Sequence, residues 1–408
     1  MVFPPPPQEV VAGPYFDISF APIPFHRADR KLGHSPIHLY SFLVGFFSSV
    51  RKFSLLLIFS LGSVGLFMVL AEGLLRIAGI SSKPANLYFL LNPELNYPQF
   101  FQRDHDLFWK FRPNQVIQSN FMVEGDYRTN SLGLRNKEFS PEKPKGGFRI
   151  ICLGNSNTFG WKQSQENAYP QQLQRLFDQN LPGQKIEVIN AGITGYSSYQ
   201  GKLFLRKDIL GFKPDLVLVN YGWNDLLPAK FGIADKNQKM PPQWILDSQN
   251  ILSRTRLYQL LKSFWVSRFS GKKGIEPGAS RVSLEDFQQN LIEIERLCRG
   301  NSIKVVFLTN PVPNLEAYRG LGKFSNIQLI NQAYNNVIRD LVESHNFKVL
   351  DISALFEKQE DVFGNPLADY IHYNARGHGI VAQAIYDYLV AGGLLTQFRL
   401  TVRPPKVN

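Results

Sequence analysis

Between Phe148 and Gly160 the chain reads FRIICLGNSNTFG, and this stretch limits the fold more than any other. Ile150, Ile151, Cys152 and Leu153 are apolar without alternation, which suits a strand buried on both faces of a parallel sheet. The run stops at Gly154, and the small and amide residues that follow let the chain turn sharply and present Ser156 beyond the strand's carboxyl end. Open α/β sheets bind their ligands at that edge. Ser156 is therefore a candidate nucleophile, although a Gly-x-Ser after a strand also serves as an ordinary turn or helix cap.

Apolar runs and helical periodicity alternate from there onward. Helix spacing over 168–180 (Tyr169, Leu173, Leu176, Phe177) leads to a short strand at 186–189. A helix at 198–210 precedes DLVLVNY at 215–221, and helices at 284–299 and 327–343 precede apolar strands at 303–309 and 347–352. A helix from Tyr373 or Asn374 to Leu389 closes the series. The pattern predicts an α/β fold: a three-layer, doubly wound sheet of five parallel strands with right-handed helical crossovers.

In such a sheet the loops after several strands converge on one edge, and three further stretches fall there. NAGITGYSS follows the second strand, where Gly192 and Gly195 allow close backbone approach or positive φ and so direct an amide toward the site. NYGWNDLL follows the third strand and brings the amide side chain of Asn224, itself also an ordinary turn residue. DYIHYNARGHG precedes the last helix, with Asp369 and His372 close enough for the carboxylate to hold one imidazole nitrogen while the other faces outward. Ser, Gly, Asn and an Asp/His pair together are the parts needed for acyl transfer through a covalent serine intermediate.

With these four blocks in order, the chain resembles the SGNH hydrolases, the GDSL-type esterase and lipase superfamily, over about residues 145 to 391. The resemblance implies the family's flavodoxin-like fold, with Ser156 as nucleophile, His372 as general base and Asp369 as the acid that orients it. It implies an oxyanion hole from the Ser156 and Gly195 backbone amides and the Asn224 side chain. NARGHGIVAQAI, from Asn374, also resembles the family's closing helix. Asn155 stands where the family usually has Asp, which implies altered local hydrogen bonding rather than loss of activity.

Outside this region, Phe53 to Ala71 runs 19 residues without a charge, long enough to cross a bilayer core as a transmembrane helix; a buried core helix is the alternative. Arg51 and Lys52 flank it on the amino side, so the amino terminus is expected inside a cytoplasmic (inner) membrane and the remainder outside, in a periplasmic or equivalent space. The expected organisation is a proline-rich, basic, disordered cytoplasmic tail (1–52), the span (53–71) and an extracytoplasmic linker and apron (72–145). The hydrolase domain (146–392), with an insertion at 226–281, and a C-terminal tail (393–408) follow. No chemistry is legible in the aromatic-rich apron.

The formal charge of +12 is spread along the chain, but 226–281 carries ten Lys/Arg against three Asp/Glu. Its centre places Leu257, Leu260, Leu261, Phe264 and Trp265 on one helical face beside Arg254, Lys262 and Arg268. Such a helix packs on its domain in the usual arrangement, and lies in a membrane interface in the other. Nucleic acid is not an expected partner, since no recognition motif accompanies the charge. Two cysteines, Cys152 and Cys298, read as packing residues, and the seven histidines show no metal spacing, so neither metal nor cofactor is expected. His372 and His378 form the closest catalytic-looking histidine pair.

The expected function is hydrolysis of O-acyl, in particular O-acetyl, esters on envelope or extracellular carbohydrate. An acyltransferase with the same triad, a lipase or phospholipid deacylase, and a non-catalytic glycan-binding envelope protein are the alternatives.

Overall fold

The computed structural model describes residues 36–80, 97–117, 127–230, 232–269, 275–313, 325–364, 369 and 371–395. The proline-rich segment, parts of the apron and most of the expected C-terminal tail lie outside the described residues. The chain divides into two compact units, Met1–Phe67 and Met68–Asn408.

Helix α1 (Pro36–Ile77) belongs mostly to the first unit. It starts at Pro36, so residues 36–52, expected as disordered tail, are helical. The reason is local: Pro36 suits a first helical turn, and no further proline separates it from the apolar run. Val44–Ile77 is long and apolar enough to cross a membrane, and none of it is buried.

In the second unit, β1 (Phe101–Asp104) and β2 (Phe108–Phe111) form an antiparallel hairpin, and β3 (Val116–Ile117) pairs with β4 (Tyr127–Arg128). The main fold then runs β5 (Phe148–Gly154), α2 (Ser156–Phe159), α3 (Tyr169–Asn180), β6 (Ile186–Gly192), α4 (Ser198–Lys207) and β7 (Leu216–Asn220). The insertion holds β8 (Pro228–Lys230), α5 (Gln243–Leu252), α6 (Arg256–Phe269) and β9 (Ile275–Ser280), with β8 and β9 paired. The series ends with α7 (Leu284–Gly300), β10 (Lys304–Leu308), α8 (Ser325–His345), β11 (Val349–Leu350), α9 (Ile352–Phe356) and α10 (Ala375–Ala391).

The central sheet has five strands in the order β11-β10-β7-β5-β6, all parallel. The expected doubly wound sheet is therefore present, with its crossovers diverging between β5 and β7, where such sheets open a crevice. Every residue of β5 is buried, and its side chains divide between two cores. Ile151 and Leu153 pack with α4, α7 and α8 through Leu205, Leu291 and Ile338. Ile150 and Cys152 pack with α3 and α10 through Leu173 and Ile385. Cys152 and Cys298 are both free and buried, and burial pushes the Cys298 thiol up to about 12.

The apron is more than a cover. Phe100, Phe101, Trp109 and Phe111 belong to the core on the α4 side of the sheet. The Arg112 guanidinium donates to the carbonyls of Phe101 (3.0 Å) and Asn250 (2.8 Å), tying the hairpin to α5.

The basic stretch of the insertion breaks in two. Ser253 Oγ donates to the Asn250 carbonyl (2.9 Å) and Thr255 Oγ1 to that of Leu252 (2.8 Å), local bonds that end α5 before α6 begins. The apolar stripe of α6 is exposed: Leu261 at 57%, Phe264 at 65% and Trp265 at 63%. The expected packing of this stripe on the domain is not what the structure shows.

Candidate active site

Ser156 opens the one-turn helix α2 directly after β5. Asn155 caps that helix, its Oδ1 accepting from the Asn157 amide at 3.0 Å. An Asp at this position would cap in the same way, so the departure from the family leaves the turn intact. At the other end Arg135, from the apron and 1% exposed, donates through Nη1 to the carbonyls of Phe159 (2.9 Å) and Gly160 (2.7 Å). Burial lowers the Arg135 guanidinium to about 10, so it remains a cation at neutral pH. A cation at the carboxyl end of a helix is favourable.

Gly192, at the end of β6, permits α2 to lie against that strand. A Cβ there would stand 2.2 Å from the Phe159 nitrogen and 2.7 Å from the Thr158 carbonyl carbon.

The loop before α10 brings the remaining polar groups. His372 Nε2 lies 2.9 Å from Ser156 Oγ, and His372 Nδ1 lies 2.7 Å from Asp369 Oδ1. The second carboxylate oxygen of Asp369 is 2.7 Å from Lys162 Nζ. Burial by itself would raise the Asp369 carboxyl, but hydrogen bonding and charge from His372 and Lys162 outweigh it and hold the group well below the usual carboxylate range. Asp369 is accordingly an anion with both oxygens engaged.

The loops after β6 and β7 carry the remaining residues expected from the sequence, Gly195 and Asn224. Gly195 has φ +83, in the left-handed region that favours glycine. Its carbonyl accepts from Arg281 Nη1 at 2.7 Å, and Arg281 is itself held by Asp235 at 2.8 Å. Trp109 Nε1 donates to the Thr194 carbonyl at 3.1 Å, and the Tyr196 hydroxyl donates to the Trp109 carbonyl at 2.6 Å. After β7, Asn224 Nδ2 donates to the Tyr196 carbonyl at 3.0 Å, which leaves its second N–H for another acceptor. Asp225 closes the same turn by accepting from the Gly222 amide (3.0 Å) and from the Ser198 amide (2.8 Å) and hydroxyl (2.5 Å). Burial pushes the Asp225 carboxyl up to about 6, against those bonds from Ser198.

His378 is no part of this arrangement. It is fully buried, its Nδ1 accepts from the Tyr169 amide at 3.3 Å, and burial, helped by Arg135 and His372, pushes it down to about 3. Among the described residues no group of three His, Cys, Asp or Glu is placed to hold a metal ion.

A model of the GDSL-like lipase/acylhydrolase family matches residues 152–380, more than half of the chain. The chain belongs to this family. It is a hydrolase that cleaves carboxylic esters. Among solved structures it is similar to the lipase/acylhydrolase from Enterococcus faecalis, with 19% identity, TM-score 0.41, and 60% of this chain and 96% of the other covered. It is also similar to a catalytic mutant of Axe2, an acetylxylan esterase from Geobacillus stearothermophilus (18%, TM-score 0.38, coverage 59% and 93%). A third is the psychrotrophic esterase EstA from Pseudoalteromonas sp. (15%, TM-score 0.38, coverage 60% and 97%). No curated protein matches.

Four residues that support this GDSL-like site were not legible in the sequence. Arg135, Trp109 and Arg281 act across 24 to 86 positions of chain, so no local pattern marks them. Lys162 stands two residues beyond the Ser156 block, has a left-handed φ of +62, and meets Asp369 only across the fold.

Proposed function

We propose that the chain is a serine esterase acting through an acyl-serine intermediate on short O-acyl esters, in particular O-acetyl groups of envelope or extracellular carbohydrate. The observation that carries the mechanism is the unbroken series from Ser156 Oγ through both nitrogens of His372 to Asp369. In this reading His372 Nε2 takes the Ser156 proton as Oγ attacks the ester carbonyl, then delivers it to the leaving alcohol. Water next attacks the acyl-serine, loses its proton to His372, and the proton returns to Ser156 as the acid departs. Asp369 fixes the imidazole tautomer and stabilises the imidazolium. The oxyanion is held by the Ser156 and Gly195 amides and the second N–H of Asn224.

Ser156 is 7% and Asn224 8% exposed, so the groups assigned to the reaction are largely withdrawn from solvent. The anchoring reading draws its support from the apolar helix Val44–Ile77 and from the basic pair Arg51 and Lys52 beside its uncharged stretch; by the charge bias of such spans the amino terminus would lie in the cytoplasm and the hydrolase region outside.

The test is a substrate series on the full chain. p-Nitrophenyl acetate should be turned over faster than the octanoate, and O-acetylated polysaccharide should release acetate, with both activities absent in Ser156→Ala. Preference for the octanoate would overturn the acetyl assignment in favour of a lipase.

A further inference from the structure

The end of α1 and the start of α6 are joined inside the second unit. Glu72 Oε2 accepts from the Leu257 amide at 2.9 Å, satisfying a backbone donor in the first turn of α6. Arg256 Nη1 donates to the carbonyls of Leu75 (3.0 Å) and Ile80 (3.2 Å), just where α1 ends. Leu75 lies about 6 Å along the helix axis from Ala71, given the 1.5 Å rise per residue. If 53–71 occupies the hydrocarbon, α6 therefore begins within the headgroup layer.

What α6 then exposes suits that layer. Leu260, Leu261, Phe264 and Trp265 follow one another at helical spacing, and all four are exposed. Arg254 and Arg268 stand exposed at either end of the stripe. A helix that packs on its own domain turns such a stripe inward. One that lies in a membrane surface turns it outward, with cationic side chains level with the phosphates and an aromatic ring at the interface.

We infer that α6 is a second membrane contact of this protein, lying in the phospholipid surface with Leu261, Phe264 and Trp265 in the acyl boundary and Arg254 and Arg268 at the lipid phosphates. The inference rests on the proposed span at 53–71. It gives the hydrolase region two attachments to the bilayer in place of one tether.

The test uses the full chain in vesicles carrying nitroxide-labelled acyl chains, with a fluorophore placed by Leu261→Cys or, separately, Trp265→Cys. Cys152 and Cys298 are buried, so wild type should take up little label. Phe59→Cys reports the span, and Gln179→Cys, at an exposed position of α3, reports a surface outside the insertion. Hydrolysis of p-nitrophenyl acetate by each variant shows that it is folded. Lipid quenching at 261 and 265 several-fold above that at 179 is the expected result. Quenching at 59 with 261 and 265 no higher than 179 overturns the inference and leaves the span standing. Absence of quenching at 59 as well overturns both. Shielding of 261 from aqueous iodide without lipid quenching indicates a protein partner on this face, and likewise contradicts the inference.

Discussion

Lys162 and Asn224 show what single side chains contribute around a serine that was legible at once. Lys162 compensates the Asp369 carboxylate on the side away from His372. Removing that cation leaves the carboxylate free to stabilise the imidazolium more strongly. Lys162→Met is therefore expected to move the acid limb of the pH–rate profile to higher pH, with Lys162→Arg restoring it; an unmoved limb would contradict the role. Asp369 itself, held well below the usual carboxylate range by His372 and Lys162, stays ionised through that limb. For Asn224, losing an oxyanion donor costs about 2.7–4 kcal/mol of transition-state stabilisation. Asn224→Ala should lose roughly two to three decades in kcat, while circular dichroism and the melting temperature change little. Ser156 and Asn224 could be offered as candidates from the sequence because each follows an apolar strand within a few residues, and Asp369 and His372 because they stand three apart just before the last helix. Lys162 could not, because its partner Asp369 lies far along the chain and no local pattern links the two.

Among elements, the Ser156 helix α2 is the least self-sufficient. A single turn has no stability of its own, and α2 is held by the Asn155 cap, by Arg135 at its end and by the flat surface that Gly192 provides. The atoms a Cβ at 192 would meet are backbone atoms of α2, which cannot yield without moving Ser156. Gly192→Ala is expected to lower kcat at least tenfold and to reduce the melting temperature; unchanged kcat in steady-state assays would show that α2 is not seated by this contact. The strands and long helices were legible because continuous apolar runs and 3.6-residue periodicity are local signals. The apron was opaque for the opposite reason, since Trp109 and Arg135 acquire meaning only through loops far along the chain. In the basic insertion the stripe on α6 was legible, but its outward orientation was not, because periodicity identifies an apolar face without saying what it meets.

For the whole molecule, the buried carboxyl behind the Asn224 turn makes stability depend on pH in a definite window. Burial raises Asp225 from 3.8 to about 6. The folded state therefore retains a proton that the unfolded chain has already released. Its contribution to stability is full below 3.8 and lost as the pH rises through about 6. The drop in melting temperature between pH 4.5 and pH 7 should be larger in wild type than in Asp225→Asn, even though the variant is less stable throughout. Equal drops would show that Asp225 is not shifted. Asp369 acts in the opposite sense and only in stronger acid, because its folded value is depressed, so it does not interfere in this window. Strand order, crossovers and the convergence of four loops then explain why a chain of mixed signals delivers one site at one sheet edge.

The central claim is that Ser156 is a nucleophile activated by His372. It is tested most directly by treating the full chain with a fluorophosphonate probe and locating the adduct by peptide mass spectrometry. The account predicts a single modified peptide carrying Ser156, no adduct in Ser156→Ala and strongly reduced labelling in His372→Ala. A folded wild-type protein that takes no label, or one whose labelling survives in Ser156→Ala, would contradict it.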